Sequence, residues 1–319
     1  MYNYKYIMDG IWTVIPTIFN TNNEIDIDTM KVLINHQIKS GVNGIVLNGT
    51  TSEVSTLSHD ERTSIYYNIA KKYKNTIPIM IGVGGNNTKE VEEMINECKH
   101  LCNYIMLTVP YYNKPSQEGL IAHFNYIVKE KFKETKFVIY NIPGRSAVNL
   151  EVDSLVEIVR NSPNIVGIKE ASGNLSQIKE TINRTTISVM SGDDGLFLPC
   201  MVMGCKGVIS VVSNIVPIDM VDIYKLCIEN NYNKALKKYN KIEHIIKTCF
   251  ITSNPVPLKM ILLKLGFTQS ESVRLPLVIS KNPKIVSEIN NCVNKIIMDK
   301  ENHNLGFIRE ELEEIVNLI

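Results

Sequence analysis

The sequence predicts an α/β protein: a (β/α)8 TIM barrel followed by a C-terminal helical domain. Eight short apolar runs rich in Ile and Val recur along the first 212 residues. They mostly lack the strict alternation of a strand wet on one face, as strands buried on both faces do. Between them lie longer stretches with apolar residues three and four apart, the period of a helix with one buried face. The polar and reactive residues cluster where the apolar runs end, which is where such a barrel builds its site.

The strands are expected in "IWTVIPTIF" (11–19), "GIVLN" (44–48), "IPIMIGV" (77–83), "NYIMLTV" (103–109), "KFVIYN" (136–141), "NIVGIK" (164–169), "TISVMSG" (186–192) and "GVISVV" (207–212). Helices are expected in "TSIYYNIAKKYKN", "TKEVEEMINECKHL" and "QEGLIAHFNYIVKEKF". The first follows "SHDER", where Ser58 stands three residues ahead of Glu61 as in a capping box. An open doubly wound sheet is the competing architecture. Its one glycine cluster, "GVGGNNTKE" (82–90), has Asn87 where the dinucleotide fingerprint needs a third glycine. From about residue 230 the pattern turns helical: "YNKALKKYNKIEHIIKTCF", "PVPLKMILLKLG", "NPKIVSEINNCVNKIIMDK" and "GFIREELEEIVNLI". The division expected is a catalytic barrel over 1–230 and a helical domain over 231–319 that includes a terminal extension.

Composition narrows the function. The chain has 319 residues, 44% hydrophobic and 21% charged, an ordinary globular balance. Its net charge of +1 argues against nucleic acid or an anionic membrane as a partner held by bulk charge. No apolar run is long enough to span a bilayer. The N-terminus "MYNYKYIMDG" lacks the apolar stretch of a signal peptide. Seven cysteines at scattered spacings suit reduced thiols in a cytoplasm, so the expected location is cytoplasmic. Cys98, His100 and Cys102 lie close together on a predicted helix and have two readings, a metal site or a partly buried helix face. No Cys-x-x-Cys or His-Glu-x-x-His pattern occurs, and no metal is expected.

"NIVGIKEASGN" (164–174) puts Lys169 at the end of an apolar strand. Either it snorkels to water, or burial lowers its pKa and frees a nucleophilic amine. Tyr140 ends strand five, Thr50 and Thr51 follow strand two, Tyr111 and Tyr112 follow strand four, and Gly192 follows strand seven. All converge on one rim if the strands are right. A free lysine amine and a keto acid form a Schiff base and then an enamine. Tyrosine hydroxyls within hydrogen-bond reach can move the protons, and a threonine hydroxyl can link two tyrosines. "GTTSE" at a loop-to-helix junction can hold a carboxylate with backbone N–H groups and hydroxyls. No cofactor is needed. Each group also has a plainer reading: threonine pairs cap turns, and tyrosines pack cores. Arg145, one of six arginines against 28 lysines, offers fork geometry for a carboxylate.

Six motifs in order, "GTTSEVSTLSHDER", "PYYNKPSQEGLIAHF", "YNIPGRS", "GIKEASGN", "SGDDGLFLPCMVMGCKGVISV" and "NPVPLK", closely resemble the dihydrodipicolinate synthase (4-hydroxy-tetrahydrodipicolinate synthase) family, within the superfamily that includes N-acetylneuraminate lyase. The resemblance runs from about residue 11 to about residue 295. It implies condensation of pyruvate with aspartate 4-semialdehyde in lysine and diaminopimelate biosynthesis, by a covalent Schiff base on Lys169. It implies a homotetramer built as a dimer of tight dimers. Tyr140 matches the tyrosine that moves protons at the enamine. Thr50 and Tyr112 match the relay, Tyr112 reaching in from the neighbouring subunit. Thr51 matches the holder of the pyruvate carboxylate, and Arg145 the arginine that takes the second substrate's carboxylate. Gly192 and the backbone of Ile209 match positions lining the lysine. Ser55, His59, Asn86, Glu90 and Tyr111 match a regulatory pocket for lysine, the end product; their alternative reading is interface packing and helix capping. Arg62 puts a fixed positive charge near a cationic ligand there. Repulsion of roughly 1–3 kcal/mol at about 6 Å implies weak inhibition by lysine.

The chain departs from the family pattern in three places. Ser52 stands where relatives usually have glycine, a cost of about 1 kcal/mol if that position is left-handed. Thr252 and Ser253 replace a pair that is often Glu-Pro. The stretch "ENHNLGFIREELEEIVNLI" extends past the usual end, with Phe307, Ile308, Leu312, Ile315, Val316 and Ile319 on one apolar helix face for the helical domain or a neighbouring subunit. Two other functions stay open: a pyruvate-dependent aldolase acting on a sugar-derived aldehyde, and a non-catalytic ligand sensor. A fork for a carboxylate suits the semialdehyde over a polyol.

Overall fold

A computed structural model describes residues 8–128 and 130–301. The apolar face expected at 307–319 lies outside them. Eight parallel strands close into a barrel in sequence order: β1 (Gly10–Val14), β2 (Gly44–Leu47), β3 (Ile79–Gly84), β4 (Tyr104–Thr108), β5 (Phe137–Asn141), β6 (Ile165–Glu170), β7 (Ser188–Ser191) and β8 (Gly207–Ser210), with β8 pairing back to β1. The first strand stops earlier than its apolar run. Pro16 has no N–H for a ladder, and 15–19 instead forms a loop ending in an antiparallel bridge from Phe19 to Ile25.

Both faces of each strand are apolar, which explains the missing alternation. Trp12, Val14, Val46, Met80, Met106, Val138, Tyr140, Met190 and Ile209 pack together inside the barrel. Their neighbours, such as Ile45, Ile81, Leu107, Ile139 and Ile168, belong to the layer shared with the helices. The main helices of that layer are α1 (Ile27–Lys39), α2 (His59–Ile65), α3 (Thr88–Cys98), α4 (Gln117–Ile127), α5 (Val152–Asn161), α6 (Leu175–Arg184), α7 (Phe197–Met203) and α8 (Pro217–Ile228). The expected capping box opens α2: Ser58 Oγ accepts from Glu61 N, and Glu61 Oε2 from Ser58 N at 2.8 Å. That helix begins four residues before the apolar pattern suggested. It continues into a π-helical turn, Tyr66–Ala70, and the Tyr66 hydroxyl accepts from Asn48 Nδ2 just past β2 at 2.9 Å.

Beyond the barrel lie α9 (Tyr232–Cys249), α10 (Val256–Lys264) and α11 (Pro283–Glu301), with irregular chain between the last two. A buried ion pair ties this region to the barrel: Lys259 Nζ on α10 meets the Glu53 carboxylate, in the loop after β2, at 2.5 Å. The Lys259 ammonium also donates to Ser272 O at 2.8 Å and lies over the Phe19 ring. Arg274 packs on the same ring, its backbone N–H donates to Glu53, and its guanidinium forks onto Glu61.

Candidate active site

Ile168 faces the helices, so Lys169, the next residue of β6, turns into the barrel near its C-terminal end. The side chain is buried, and Nζ lies 4.3 Å from the centre of the Tyr140 ring. Loss of water draws its pKa down to about 8; Asp194 opposes the fall and Arg145 adds to it. The snorkelling alternative therefore fails. Tyr140 is the register partner of Lys169 on β5. Burial pushes its phenol up to about 12, against a hydrogen bond with Thr50 and the charge of Arg145. Tyr140 is thus a protonated hydroxyl linked to Thr50, beside an amine with a substantial neutral fraction near pH 8.

Gly192 stands where no side chain fits. A Cβ there would meet Ala171 Cβ at 2.6 Å and Lys169 Cγ at 3.2 Å, so the glycine lets the β7 loop close on the lysine stem. Ile209 is buried in the same interior cluster as Tyr140. Asp194 fastens these two walls together and was not singled out in the sequence. Its buried carboxylate accepts from Ser210 Oγ at 2.5 Å and from the backbone N–H groups of Val211 and Val212 at 2.9 and 3.3 Å. Burial holds its pKa up at about 6. The signal available was a serine, Ser210, inside the apolar run of β8. Glu170 fixes the other side of the lysine, accepting from Asn141 Nδ2, Gln177 Nε2 and the Ser172 N–H.

The threonine pair occupies a tight turn, Thr50–Ser52, just past β2. Thr51 is buried, and its Oγ1 accepts from Asn254 Nδ2 at 2.9 Å, leaving its own proton to donate. The motif "NPVPLK" thus supplies an orienting partner whose role the sequence did not disclose. The strain expected at Ser52 is absent. The left-handed residue is Glu53, with φ 52°, while Ser52 donates through Oγ to Ile15 O at 2.7 Å. A hydroxyl here stitches the turn to the end of β1.

Tyr112 is 84% exposed, at φ 76°, and lies outside the interior of the barrel. Arg145, exposed in the turn after β5, lines a cavity of about 230 Å³ together with Thr50, Tyr140, Ser55, Arg62, Tyr66 and Tyr111. The residues matched to a regulatory pocket are divided. Ser55 and Tyr111 line this cavity. Asn86 lies in a separate open depression beside His123. His59 faces Glu97 at 3.7 Å, and Glu90 accepts from Asn87 Nδ2. Cys98 and Cys102 donate to backbone carbonyls of their own segment, and burial raises both thiols. Cys98 closes α3 and Cys102 lies beyond its end, so the two do not share the predicted helix; no metal-ligand cluster occurs among the described residues. Nor is any described helix long and apolar enough to cross a membrane.

Comparison with known proteins agrees with this geometry. Residues 7–295 match the dihydrodipicolinate synthetase family. The chain is 37% identical over 272 residues to a 4-hydroxy-tetrahydrodipicolinate synthase of Nitratidesulfovibrio vulgaris, covering 84% of this chain and 92% of the relative. It is 38% identical over 269 residues to the enzyme of that name from Methanocaldococcus jannaschii, with the same coverage. Among solved structures, dihydrodipicolinate synthase from Thermotoga maritima superposes with a TM-score of 0.87 at 33% identity, over 91% of this chain and 99% of that one. A variant described as the first monomeric dihydrodipicolinate synthase superposes at 0.86, with 33% identity, over 90% and 96%. With sequence and shape in agreement over most of its length, the chain belongs to the dihydrodipicolinate synthetase family.

Proposed function

We propose that the protein is a lyase that condenses pyruvate with aspartate 4-semialdehyde to give 4-hydroxy-tetrahydrodipicolinate, in lysine and diaminopimelate biosynthesis. The observation that carries this reading is the buried Lys169 against Tyr140 at the barrel's C-terminal rim. The neutral Lys169 amine attacks the keto carbon of pyruvate and expels water, giving a protonated Schiff base. Loss of a methyl proton yields an enamine, whose carbon attacks the aldehyde. The amine of the semialdehyde then attacks the Schiff-base carbon, closes the ring and releases Lys169. Tyr140, with Thr50 and Tyr112, moves the protons. Thr51, oriented by Asn254, holds the pyruvate carboxylate, and Arg145 receives the carboxylate of the second substrate. Gly192 and Ile209 keep the lysine in place. No metal or organic cofactor enters these steps.

The barrel, 1–230, is the catalytic unit in this reading, and the helical domain from 231 braces the loop after β2 through Lys259. The exposed Tyr112 has its work in a neighbouring copy, within a dimer of tight dimers in the cytoplasm. The test is a coupled assay of pyruvate with a panel of aldehydes. Turnover is expected with aspartate 4-semialdehyde. Arg145→Ala should raise KM for that aldehyde far more than for pyruvate. Turnover confined to sugar-derived aldehydes, or an equal effect on both substrates, would refute the assignment.

A further inference from the structure

Behind the Tyr140–Lys169 pair, on the other face of the sheet, lies a knot of side chains. Asn141 and Glu170 are the next register partners along β5 and β6, and strand alternation turns both away from the barrel interior. Both are buried. Asn141 Nδ2 donates to the two Glu170 oxygens at 3.2 and 3.1 Å. Gln177 Nε2, at the start of α6, donates to the same carboxylate at 3.2 Å, and the Ser172 N–H at 2.8 Å. All three partners are neutral donors, which a carboxylate satisfies with both oxygens and an amide does not.

The knot reaches the segment that carries Arg145. That residue stands in a short turn, Pro143–Ser146, between Asn141 and Asn149. Asn141 closes the segment on itself: its Nδ2 donates to Asn149 Oδ1 at 2.8 Å, and its Oδ1 accepts from the Leu150 N–H at 3.0 Å. Asn149 and Gln177 exchange a pair of hydrogen bonds, Nδ2 to Oε1 at 2.9 Å and Nε2 to Oδ1 at 3.2 Å. Both polar atoms of the Asn149 side chain thus bond to residues that also hold Glu170. Asn149 itself does not line the cavity in which Arg145 stands.

We propose that Asn149 is a positioning residue for the second substrate. Through Asn141, Gln177 and Glu170 it joins the Arg145 turn to the strand ends that carry Tyr140 and Lys169, and so holds the guanidinium at a fixed offset from the reacting amine. This role rests on the reading of Arg145 as the receiver of the second substrate's carboxylate. Truncating Asn149 loosens the turn without detaching it, because Gln117 Nε2 still donates to the Asn149 backbone O at 2.8 Å. Glu170 meanwhile keeps its bonds from Asn141 and Ser172, so the lysine strand stays anchored.

The test applies two readouts to Asn149→Ala, Gln177→Ala and the double variant, each checked for its melting profile. Hydrogen exchange read by peptide mass spectrometry follows the turn with no substrate present. Exchange should quicken about tenfold over 142–150 and keep the wild-type rate over 164–170. Steady-state kinetics follow the consequence. KM for aspartate 4-semialdehyde should rise roughly ten- to a hundredfold, against less than about threefold for pyruvate, as expected when one binding group is displaced. The double variant should match the worse single variant, because both substitutions cut the same link. Unchanged exchange over 142–150, an equal rise in KM for the two substrates, or additive effects of the two substitutions overturns the proposal. A wild type that turns over no semialdehyde refutes the assigned reaction, and the exchange pattern of the variants then decides whether Asn149 holds the Arg145 turn.

Discussion

Lys169 is charged in water and costly to charge inside the barrel, and the reaction proposed for it needs the neutral form. With its pKa drawn down to about 8 by burial, the amine is neutral above that pH and protonated below it. Formation of the pyruvate adduct should therefore rise with pH along a limb centred near 8. Adduct rates measured by rapid mixing across pH 6–10 check this, and a limb at the ordinary lysine value of about 10.4 would mean that the amine is not desolvated. Linkage gives a second consequence. A lysine whose folded pKa is depressed loses stability as pH falls through 8, so at pH 7 Lys169→Met should stabilise the fold by about 1–3 kcal/mol. Lys169 was legible in the sequence because a charged residue closes an apolar strand. Asp194 was not read as a working residue, because its placement depends on a partner distant in the chain, Ser210.

At the scale of elements, the loop after β2 is where several roles meet. It carries Thr50 and Thr51, takes a left-handed turn at Glu53, and is clamped by Lys259 from the helical domain. Removing one partner of a buried pair leaves the other charged and dry. Lys259→Met should thus cost about 3–5 kcal/mol, and pairing it with Glu53→Gln should restore much of the loss. Urea unfolding followed by the single tryptophan, Trp12, inside the barrel measures both. Equal stability of wild type and Lys259→Met would remove the clamp from the account. The strands were legible because each is apolar on both faces, and α2 because Ser58 and Glu61 spell its cap. The early end of β1 and the π-helical turn were less so. Ile15, Ile18 and Phe19 remain buried whether or not they pair in the sheet, so hydrophobicity does not mark where the ladder stops.

At the scale of the whole molecule, the relay proposed for Tyr112 requires a second copy of the chain. Tyr112 is 84% exposed, outside the interior of its own barrel, and in the proposed dimer it completes the partner's site. Tyr112→Phe should lower kcat by roughly ten- to ten-thousandfold, the span of general acid–base catalysis. Mixed dimers of Tyr112→Phe with Lys169→Ala should recover activity, since one of their two sites then holds both intact residues. No recovery in dimers verified by native mass spectrometry would place Tyr112 outside the relay. The order of the barrel elements was readable along the chain, but a shared site was not derivable from one chain's periodicity. Its inference came from the family resemblance of the "PYY" motif.

The most direct test of the central claim is reductive trapping. Incubation with pyruvate and borohydride, followed by digestion and mass spectrometry, should place one reduced pyruvyl adduct on the peptide containing Lys169, and Lys169→Ala should take up none. An unlabelled Lys169, or an adduct on Lys206 instead, would contradict the account.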